Sequence, residues 1–213
     1  MRKFCFLFLL FTLSNSVFAD TVSDKEKDTL IKIYQSTNGA EWKIKWDFTS
    51  SVSTWFGVEI NNGQVVGLNL ADNNLKGELP SAIGNLQHLQ TLALFNNEIQ
   101  GNLPDSLYAI STLKVLLLNN NKFSGSLSRK IGDFHSLENL SLFDNNFEGE
   151  IPKELENLYN LSEMNLSYNK FKGAVSEKLT LLDALNMTML DENGNPFLLD
   201  VHEEKDITNI TVN

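Results

Sequence analysis

The side chains best suited to catalysis are few and scattered in this sequence. Its three histidines, His88, His135 and His202, have no cysteine or second histidine at a metal-ligand spacing. The neighbouring carboxylates Glu203 and Glu204 lie in the polar C-terminal tail, where groups for acid–base catalysis would be poorly positioned. We therefore predict that the protein is not an enzyme and has no cofactor.

A run of carboxylates and amides at residues 191–195 superficially matches a calcium-binding loop. Pro196 stands where such a loop needs a glycine, and His202 stands where it needs a glutamate. We therefore predict no metal site in this segment.

Asparagine recurs in the sequence at a fixed interval of 24 residues, and each copy follows a Leu-x-Leu or Met-x-Leu pair by three residues. Glycines and small apolar residues recur at the same interval. The asparagines are Asn73, Asn97, Asn121, Asn145 and Asn169, and the glycines are Gly77, Gly101, Gly125, Gly149 and Gly173. A repeat of this length containing Leu-x-x-Leu-x-Leu-x-x-Asn-x-Leu predicts a leucine-rich-repeat solenoid, in which each repeat gives a short strand and a return segment.

The added Gly-x-Leu/Ile-Pro after the asparagine resembles the plant-type subclass of these repeats, from about Val65 to Asn195. That subclass occurs in receptor-kinase ectodomains and polygalacturonase-inhibiting proteins. The resemblance implies a curved solenoid with a parallel concave β-sheet and short helical or irregular convex segments. It also implies that the asparagines turn inward and bond to the backbone, although five carboxamides in register could alternatively form a polar binding strip.

The segments before the repeats predict export and a terminal cap. Residues 1–19 have two basic residues, a short apolar run and a final Ala19, which is typical of a cleaved secretory signal peptide. We expect the mature protein to be secreted, either extracellular or periplasmic. The single cysteine, Cys5, lies in this segment, so we expect no disulfide in the mature chain.

Residues 20–64 are predicted to form the N-terminal cap. The capping box that begins at Ser23 predicts a helix from Asp24 to Gln35, and a β-hairpin is predicted around Asn61-Asn62-Gly63. Trp42, Trp46 and Trp55 could stack on a ligand or cover the first repeat, and we favour the cover. Residues 65–185 would then form five repeats, and residues 186–213 a partial repeat, a C-terminal cap and a tail.

The formal net charge of −10 disfavours nucleic acid and anionic membrane surfaces as partners. No stretch after the signal is apolar enough to insert in a bilayer. We therefore expect neither nucleic-acid binding nor membrane insertion, and we expect a monomer.

Alternate strand residues point away from the core, and these outward positions are the predicted binding surface. Apolar and aromatic side chains rimmed by polar ones on an exposed face are typical of interaction sites, although the two phenylalanines could simply cover their neighbours. The predicted ligand-binding residues are Thr91, Phe95, Val115, Leu117, Asn119, Asn139, Ser141, Phe143, Glu163, Asn165 and Tyr168.

These observations predict a secreted, non-catalytic binding module that recognises a protein, a peptide or a glycan on its concave face. An alternative, by resemblance, is an inhibitor of extracellular polysaccharide-degrading enzymes, like the polygalacturonase-inhibiting proteins. A less favoured alternative is an ice-binding or structural solenoid, because the sequence lacks the regular threonine ladder that such a surface would need.

Overall fold

The computed structural model describes residues 22–173, 189–190 and 196–197. The predicted signal peptide and most of the predicted C-terminal cap and tail lie outside these residues. The chain begins with helix α1 (Asp24–Ser36), whose N-cap Ser23 accepts a hydrogen bond from the backbone N–H of Glu26. Asn38 follows with the left-handed φ of 56° that lets the chain leave a helix. The predicted capping box and helix are therefore confirmed.

The three tryptophans lie inside the N-terminal cap. Trp42, Trp46 and Trp55 are 2–5% exposed and belong to the same hydrophobic core as the repeats. The Trp46 ring stacks on that of Trp55 with 4.9 Å between centroids. Their indole N–H groups donate to backbone carbonyls within the cap. These side chains thus cover the end of the first repeat, as predicted, and none presents an open stacking platform.

A β-hairpin connects the cap to the first repeat. Strands β1 (Val58–Asn61) and β2 (Gln64–Asn69) pair in antiparallel fashion through the turn residues Asn62 and Gly63. Both turn residues have positive φ, 50° and 73°, as a two-residue turn that matches the twist of the strands requires. The predicted hairpin is confirmed.

Each repeat then contributes two short strands, numbered in chain order. They are β3 (Lys76–Glu78), β4 (Thr91–Ala93), β5 (Glu98–Gly101), β6 (Val115–Leu117), β7 (Lys122–Ser126), β8 (Asn139–Ser141), β9 (Asn146–Glu150), β10 (Glu163–Asn165) and β11 (Lys170–Lys172). A further antiparallel pair is formed by β12 (Met189–Leu190) and β13 (Pro196–Phe197).

Strands β1 to β11 form two sheets with the core between them. The first has the order β1-β2-β4-β6-β8-β10 and is parallel beyond the hairpin. The second has the order β11-β9-β7-β5-β3 and is parallel. The second sheet was not predicted, because its strands carry charged residues and glycines, which have low strand propensity.

Short 3₁₀ helices return the chain from the second sheet to the first. They span Ser81–Asn85, Asp105–Ala109, Arg129–Asp133 and Lys153–Asn157, and they confirm the predicted short helical segments. Gly77 shows why a recurring glycine precedes them. Its φ is +117°, and a Cβ atom there would lie 2.2 Å from the carbonyl oxygen of Ser36. Only glycine lets α1 approach the first repeat this closely.

Successive repeats are also joined by exposed ion pairs. Glu98 lies 3.1 Å from Lys76 and 2.7 Å from Lys122, in the repeats before and after it. The hydrogen bond from Lys122, followed by that from Lys76, holds the pKa of the Glu98 carboxyl below its ordinary value. Because these side chains are about half exposed, the pairs contribute little to the free energy of unfolding.

The buried carboxylate of Glu26 connects α1 to the first repeat through a hydrogen bond. Glu26 is 6% exposed, and its carboxylate accepts hydrogen bonds from the Ser23 hydroxyl at 2.9 Å and from the buried backbone N–H of Val65 at 3.2 Å. The contact spans 39 residues of sequence. It therefore couples the start of the helix to the strand that begins the repeats.

Replacing Glu26 with alanine is expected to lower the free energy of unfolding by about 1–3 kcal/mol, because the N–H of Val65 then stays buried without a partner. Urea unfolding followed by circular dichroism measures this change. Asp28→Ala is the matched control, since it removes an exposed acid two residues further along the same helix. Equal losses in the two variants would mean that the contact with Val65 contributes nothing.

Candidate functional site

The recurring asparagines hold the strands of the first sheet in register. Asn97 is 9% exposed. Its side-chain oxygen accepts from the backbone N–H groups of Asn73 and Leu75, and its NH₂ group donates to the carbonyl groups of Leu70 and Leu94. Each such residue thus bonds to the repeat before it as well as to its own. The asparagines are structural, as predicted, and they do not form a binding strip.

The cap extends this ladder by one step. The side chain of Asn73, the first asparagine, accepts a hydrogen bond from the backbone N–H of Ile44 at 2.7 Å and donates to the Ile44 carbonyl at 3.2 Å. The segment around Ile44 therefore takes the place of a preceding repeat. This arrangement fixes the first strand of the repeats against the cap.

The predicted binding residues fall on the outward side of the first sheet, which we call the concave face. In the register of the sheet, Thr91 pairs with Val115, Val115 with Asn139, and Asn139 with Glu163. Leu117, Ser141 and Asn165 form a second row beside them. Residues of both rows alternate with fully buried residues such as Leu116 and Leu140. The alternation predicted from the sequence therefore holds in these strands.

Part of the concave face forms an open cleft of about 350 Å³. Inside it, the NH₂ group of Asn139 donates a hydrogen bond to the carboxylate of Glu163. Leu117 supplies an apolar wall, and the other polar groups are amides and a hydroxyl. The lining residues are Leu117, Asn119, Asn139, Leu140, Ser141, Glu163, Met164 and Asn165. Six of the predicted binding residues are therefore brought together here.

The remaining predicted residues lie beside the cleft. Phe143 and Tyr168 meet edge to face, with ring centroids 5.0 Å apart and planes at 62°. Phe95, Thr91 and Val115 lie on or next to the strands on the N-terminal side of the cleft and are half-buried. The ring of Phe143 thus covers part of the ring of Tyr168, its neighbour on the same face.

Two residues expected to face outward are buried. Ala93 is 3% exposed and Ser167 is 4% exposed. Both side chains are small, and Ser167 follows the end of β10 rather than lying on it. The usable part of the concave face is therefore narrower than the alternation alone suggests.

The sequence did not lead us to predict the backbone conformation that follows each strand of the first sheet. The residue that precedes each recurring asparagine has a left-handed φ of 52° to 56°. In four repeats it is an asparagine or aspartate, which tolerate this conformation, whereas in the fifth it is a tyrosine. The recurrence of Asn and Asp at this position could have revealed the turn. The residues are Asp72, Asn96, Asn120, Asp144 and Tyr168.

The charges of the concave face are acidic. Asp72 pairs with Lys43 at 2.8 Å. Among the described residues, Asp144 and Glu163 enter no ion pair with a lysine, arginine or histidine. The outward positions of this face supply no basic side chain to neutralise them. Within the part of the chain that the structure describes, these two carboxylates therefore have no ion-pair partner.

A metal-binding cluster is not seen in the part of the chain that the structure describes. No three His, Cys, Asp or Glu side chains come together there in a way that could hold a metal ion. No helix within the same residues is long and apolar enough to cross a membrane. Besides the cleft, an open pocket of about 650 Å³ lies between α1 and the 3₁₀ helix Ser81–Asn85, and its lining residues are Lys32, Gln35, Ser36, Pro80, Ser81, Ala82 and Asn85.

The family described as a leucine-rich repeat region matches residues 67–192. These residues include every strand of the concave face after the hairpin. The chain belongs to the leucine-rich repeat family. The matched family is defined by its repeats, and no enzymatic family is indicated. The two parallel sheets and the 3₁₀ returns are accordingly those of a leucine-rich-repeat solenoid.

Comparison with other leucine-rich-repeat proteins gives plant relatives. The chain is 29% identical over 92 residues to polygalacturonase inhibitor 1 of Arabidopsis thaliana, covering 41% of this chain and 28% of the inhibitor. It is 35% identical over 91 residues to the leucine-rich repeat receptor protein kinase EMS1 of the same plant, covering 42% of this chain and 8% of the kinase. The chain thus spans less than a third of these relatives.

The fold is also similar to that of a solved ectodomain. The crystal structure of the BIR2 ectodomain from Arabidopsis thaliana superposes with a TM-score of 0.65 and 26% sequence identity, over 73% of this chain and 84% of that one. The likeness extends over most of both chains. The solenoid described here is therefore of the same kind as plant leucine-rich-repeat ectodomains.

Proposed function

We propose that this protein is a secreted, non-catalytic binding module whose concave face recognises an extracellular protein, peptide or glycan. The observation that supports this most is the cleft between β6 and β10, where six outward side chains of mixed polar and apolar character converge. None of these six is fully buried like the recurring asparagines, although the side-chain oxygen of Asn165 accepts a hydrogen bond from the backbone N–H of Ser167 at 3.0 Å. Accessible side chains of mixed polarity that converge in a cleft are typical of binding sites.

The relatives support the same proposal at a coarser level. Plant leucine-rich-repeat ectodomains and a polygalacturonase inhibitor share the repeat. Their extracellular setting agrees with the predicted signal peptide over residues 1–19. We also propose residues 20–64 as the cap, residues 65–185 as the five repeats and the monomer as the functional state.

The size of the face limits the ligand. Six strands about 4.8 Å apart give a sheet about 25 Å across. A protein interface of standard size, about 800 Å² per partner, would need nearly all of this face. A short peptide, a glycan chain or one loop of a protein fits more easily. Inhibition of a polysaccharide-degrading enzyme is a second candidate, favoured by the similarity to polygalacturonase inhibitor 1.

A triple substitution on the concave face should abolish binding without unfolding the protein. The change is Phe95→Ala, Leu117→Ala and Phe143→Ala, which removes apolar contact area from three half-buried outward positions. Because a few large side chains dominate binding energy, we expect at least a hundredfold loss of affinity. The measurement is a pull-down from extracellular and cell-wall extracts, with wild-type and variant protein immobilised at equal density.

The matched control removes three apolar side chains outside the concave face: Ile44→Ala, Phe56→Ala and Tyr159→Ala. These side chains are 48%, 39% and 78% exposed. Circular dichroism melting of all three proteins checks that they fold. Retention of the same partner by the concave variant, and its loss by the control, would place binding elsewhere and overturn the proposal.

A further inference from the structure

Tyr168 departs from the pattern of the repeats. It has a φ of 56° at a position that is Asn or Asp in the four preceding repeats. A bulky residue in this left-handed conformation is strained, and such strain persists where the side chain serves another purpose. Burial does not account for the tyrosine, because it is 44% exposed.

The backbone of Tyr168 lies beside that of Asp144 and Asn145. The two residues occupy the same turn in adjacent repeats, and the backbone N–H groups of Asp144 and Asn145 donate to the carbonyl groups of Ser167 and Tyr168 at 3.0 and 3.1 Å. Phe143, next to Asp144 in sequence, contacts the tyrosine ring. The exposed residue Asp144 thus follows Phe143 directly in sequence, next to the pair of rings that Phe143 forms with Tyr168.

The carboxylate of Asp144 differs from that of Asp72, its counterpart in the first repeat. Both have left-handed φ, 52° and 54°. Asp72 pairs with Lys43 at 2.8 Å, whereas Asp144 has no such cation among the described residues. A carboxylate beside an aromatic pair, without a cation of its own, complements a positive charge from outside.

The charge of the face distinguishes between ligand classes. An acidic ligand would be repelled by Asp144 and Glu163 and by the net charge of −10. A neutral glycan could stack on a ring but would gain no ion pair from Asp144. A lysine or arginine side chain gains from both the ring and the carboxylate.

We propose that the corner formed by Phe143, Asp144 and Tyr168 binds a lysine or arginine side chain of a basic peptide segment. The proposal rests on the concave-face function proposed above and names the ligand class of that face. The peptide runs along the sheet, so that its neighbouring residues reach the cleft lined by Leu117 and Glu163.

The test uses an acetylated and amidated (Lys-Gly)₄ peptide as the probe, with the (Glu-Gly)₄ peptide and cellohexaose as comparison ligands, in calorimetric titrations at low salt. Wild-type protein is expected to bind the lysine peptide and not the glutamate peptide. Asp144→Asn is expected to weaken binding about tenfold, because the ion pair is lost while a residue that tolerates the turn is kept. Asp72→Asn makes the same change in net charge and is expected to leave the affinity within about twofold.

Two substitutions at Tyr168, Tyr168→Asn and Tyr168→Phe, separate the contribution of the aromatic ring to binding from any effect on folding stability. The asparagine variant is expected to bind about fivefold more weakly, because the cation loses the ring. Its melting temperature should stay unchanged or rise, because asparagine adopts the left-handed turn readily. The phenylalanine variant keeps the ring and should bind like the wild type.

Several outcomes would overturn the inference. One is an equal effect of Asp144→Asn and Asp72→Asn, which would mean attraction by net charge alone. Another is cellohexaose binding that depends on Tyr168 and not on Asp144, which would make the corner a glycan site. If the triple concave variant loses its partner while Asp144→Asn retains it, the proposed function stands and the basic-peptide inference fails.

Discussion

Replacing Phe147 with alanine is expected to lower the free energy of unfolding by about 3–5 kcal/mol, the largest loss from any single core truncation considered. The side chain is 1% exposed. Its ring lies between those of Phe123 and Phe171, with 6.1 Å between centroids on each side and planes within 6° of parallel. Truncation removes the middle of this stack and leaves a cavity bounded by two rings.

The cavity should collapse only partly, because the backbone on both sides is fixed by β-sheet pairing. Strand β9, which contains Phe147, pairs with β7 on one side and β11 on the other. The phenylalanines of those strands cannot close the gap without breaking the pairing. The loss should therefore fall in the upper part of the range measured for such truncations.

Urea unfolding followed by far-ultraviolet circular dichroism measures the loss. Phe147→Leu is the matched control, since Leu75 and Ile99 occupy this position in the first two repeats and are buried there. We expect the leucine variant to lose about 1–2 kcal/mol. A leucine variant as stable as the wild type would show that the stack adds nothing beyond aliphatic burial.

The path of the backbone through the solenoid could be predicted from the sequence because the same 24-residue repeat recurs along it. The recurrence of Asn73 to Asn169 fixes the period, and one inward side chain then identifies its equivalents in every repeat. Phe147 is found to be in the core by this reasoning alone. That its ring stacks between two others could not be predicted, because stacking depends on rotamers that are set by contacts between repeats.

The second sheet escaped prediction for a related reason. Strands such as β3, with Lys76, Gly77 and Glu78, have no strand propensity of their own. They are extended because each neighbouring repeat offers backbone partners in the same register. Such pairing is a property of the stacked repeats and leaves no local signal in the sequence.

The outward residues that line the cleft on the concave face could be predicted from the sequence, but the shape of the cleft could not. Alternation along the strands identifies Asn139, Glu163 and Leu117 as outward. The contact between Phe143 and Tyr168 depends on the left-handed turn at Tyr168, which the apolar pattern does not encode. Ser167 is buried although the alternation predicts an outward side chain there. These are tertiary effects, and they decide which outward residues can reach a ligand.

Replacing Asn97 with alanine is expected to cost about 3–5 kcal/mol, although it removes only a small polar side chain. Its oxygen accepts from the N–H groups of Asn73 and Leu75 at 3.1 and 2.9 Å, and its NH₂ group donates to the carbonyls of Leu70 and Leu94, both at 2.9 Å. Alanine leaves the N–H groups of Asn73 and Leu75 and the carbonyl of Leu70 without this partner, whereas the Leu94 carbonyl keeps the hydrogen bond that it accepts from the Asn121 side chain. The cost of each unsatisfied buried group is about 1–3 kcal/mol, and partial relaxation reduces their sum.

Two further variants separate the parts of this effect. Asn97→Asp keeps the shape and the accepting oxygen but places a second oxygen against the carbonyls, so it should cost at least as much as alanine. Gln100→Ala removes an exposed amide from the same repeat and should stay within about 0.5 kcal/mol of the wild type. Urea unfolding measures all three, and an alanine loss below about 1 kcal/mol would contradict the structural role of the ladder.

The slope of the unfolding curve gives a second test of Asn97→Ala. In a solenoid each repeat contacts only its neighbours, so cooperativity depends on the interfaces between repeats. Asn97 bonds to the repeat that begins at β2 as well as to its own repeat. Its loss therefore weakens the interface between the first and second repeats more than it weakens the inside of either repeat. The dependence of the free energy on urea should therefore become shallower, as the cap and first repeat begin to unfold separately from the rest. Phe147→Ala, by contrast, weakens the core near the C-terminal repeats. In that variant we expect the C-terminal repeats to unfold first.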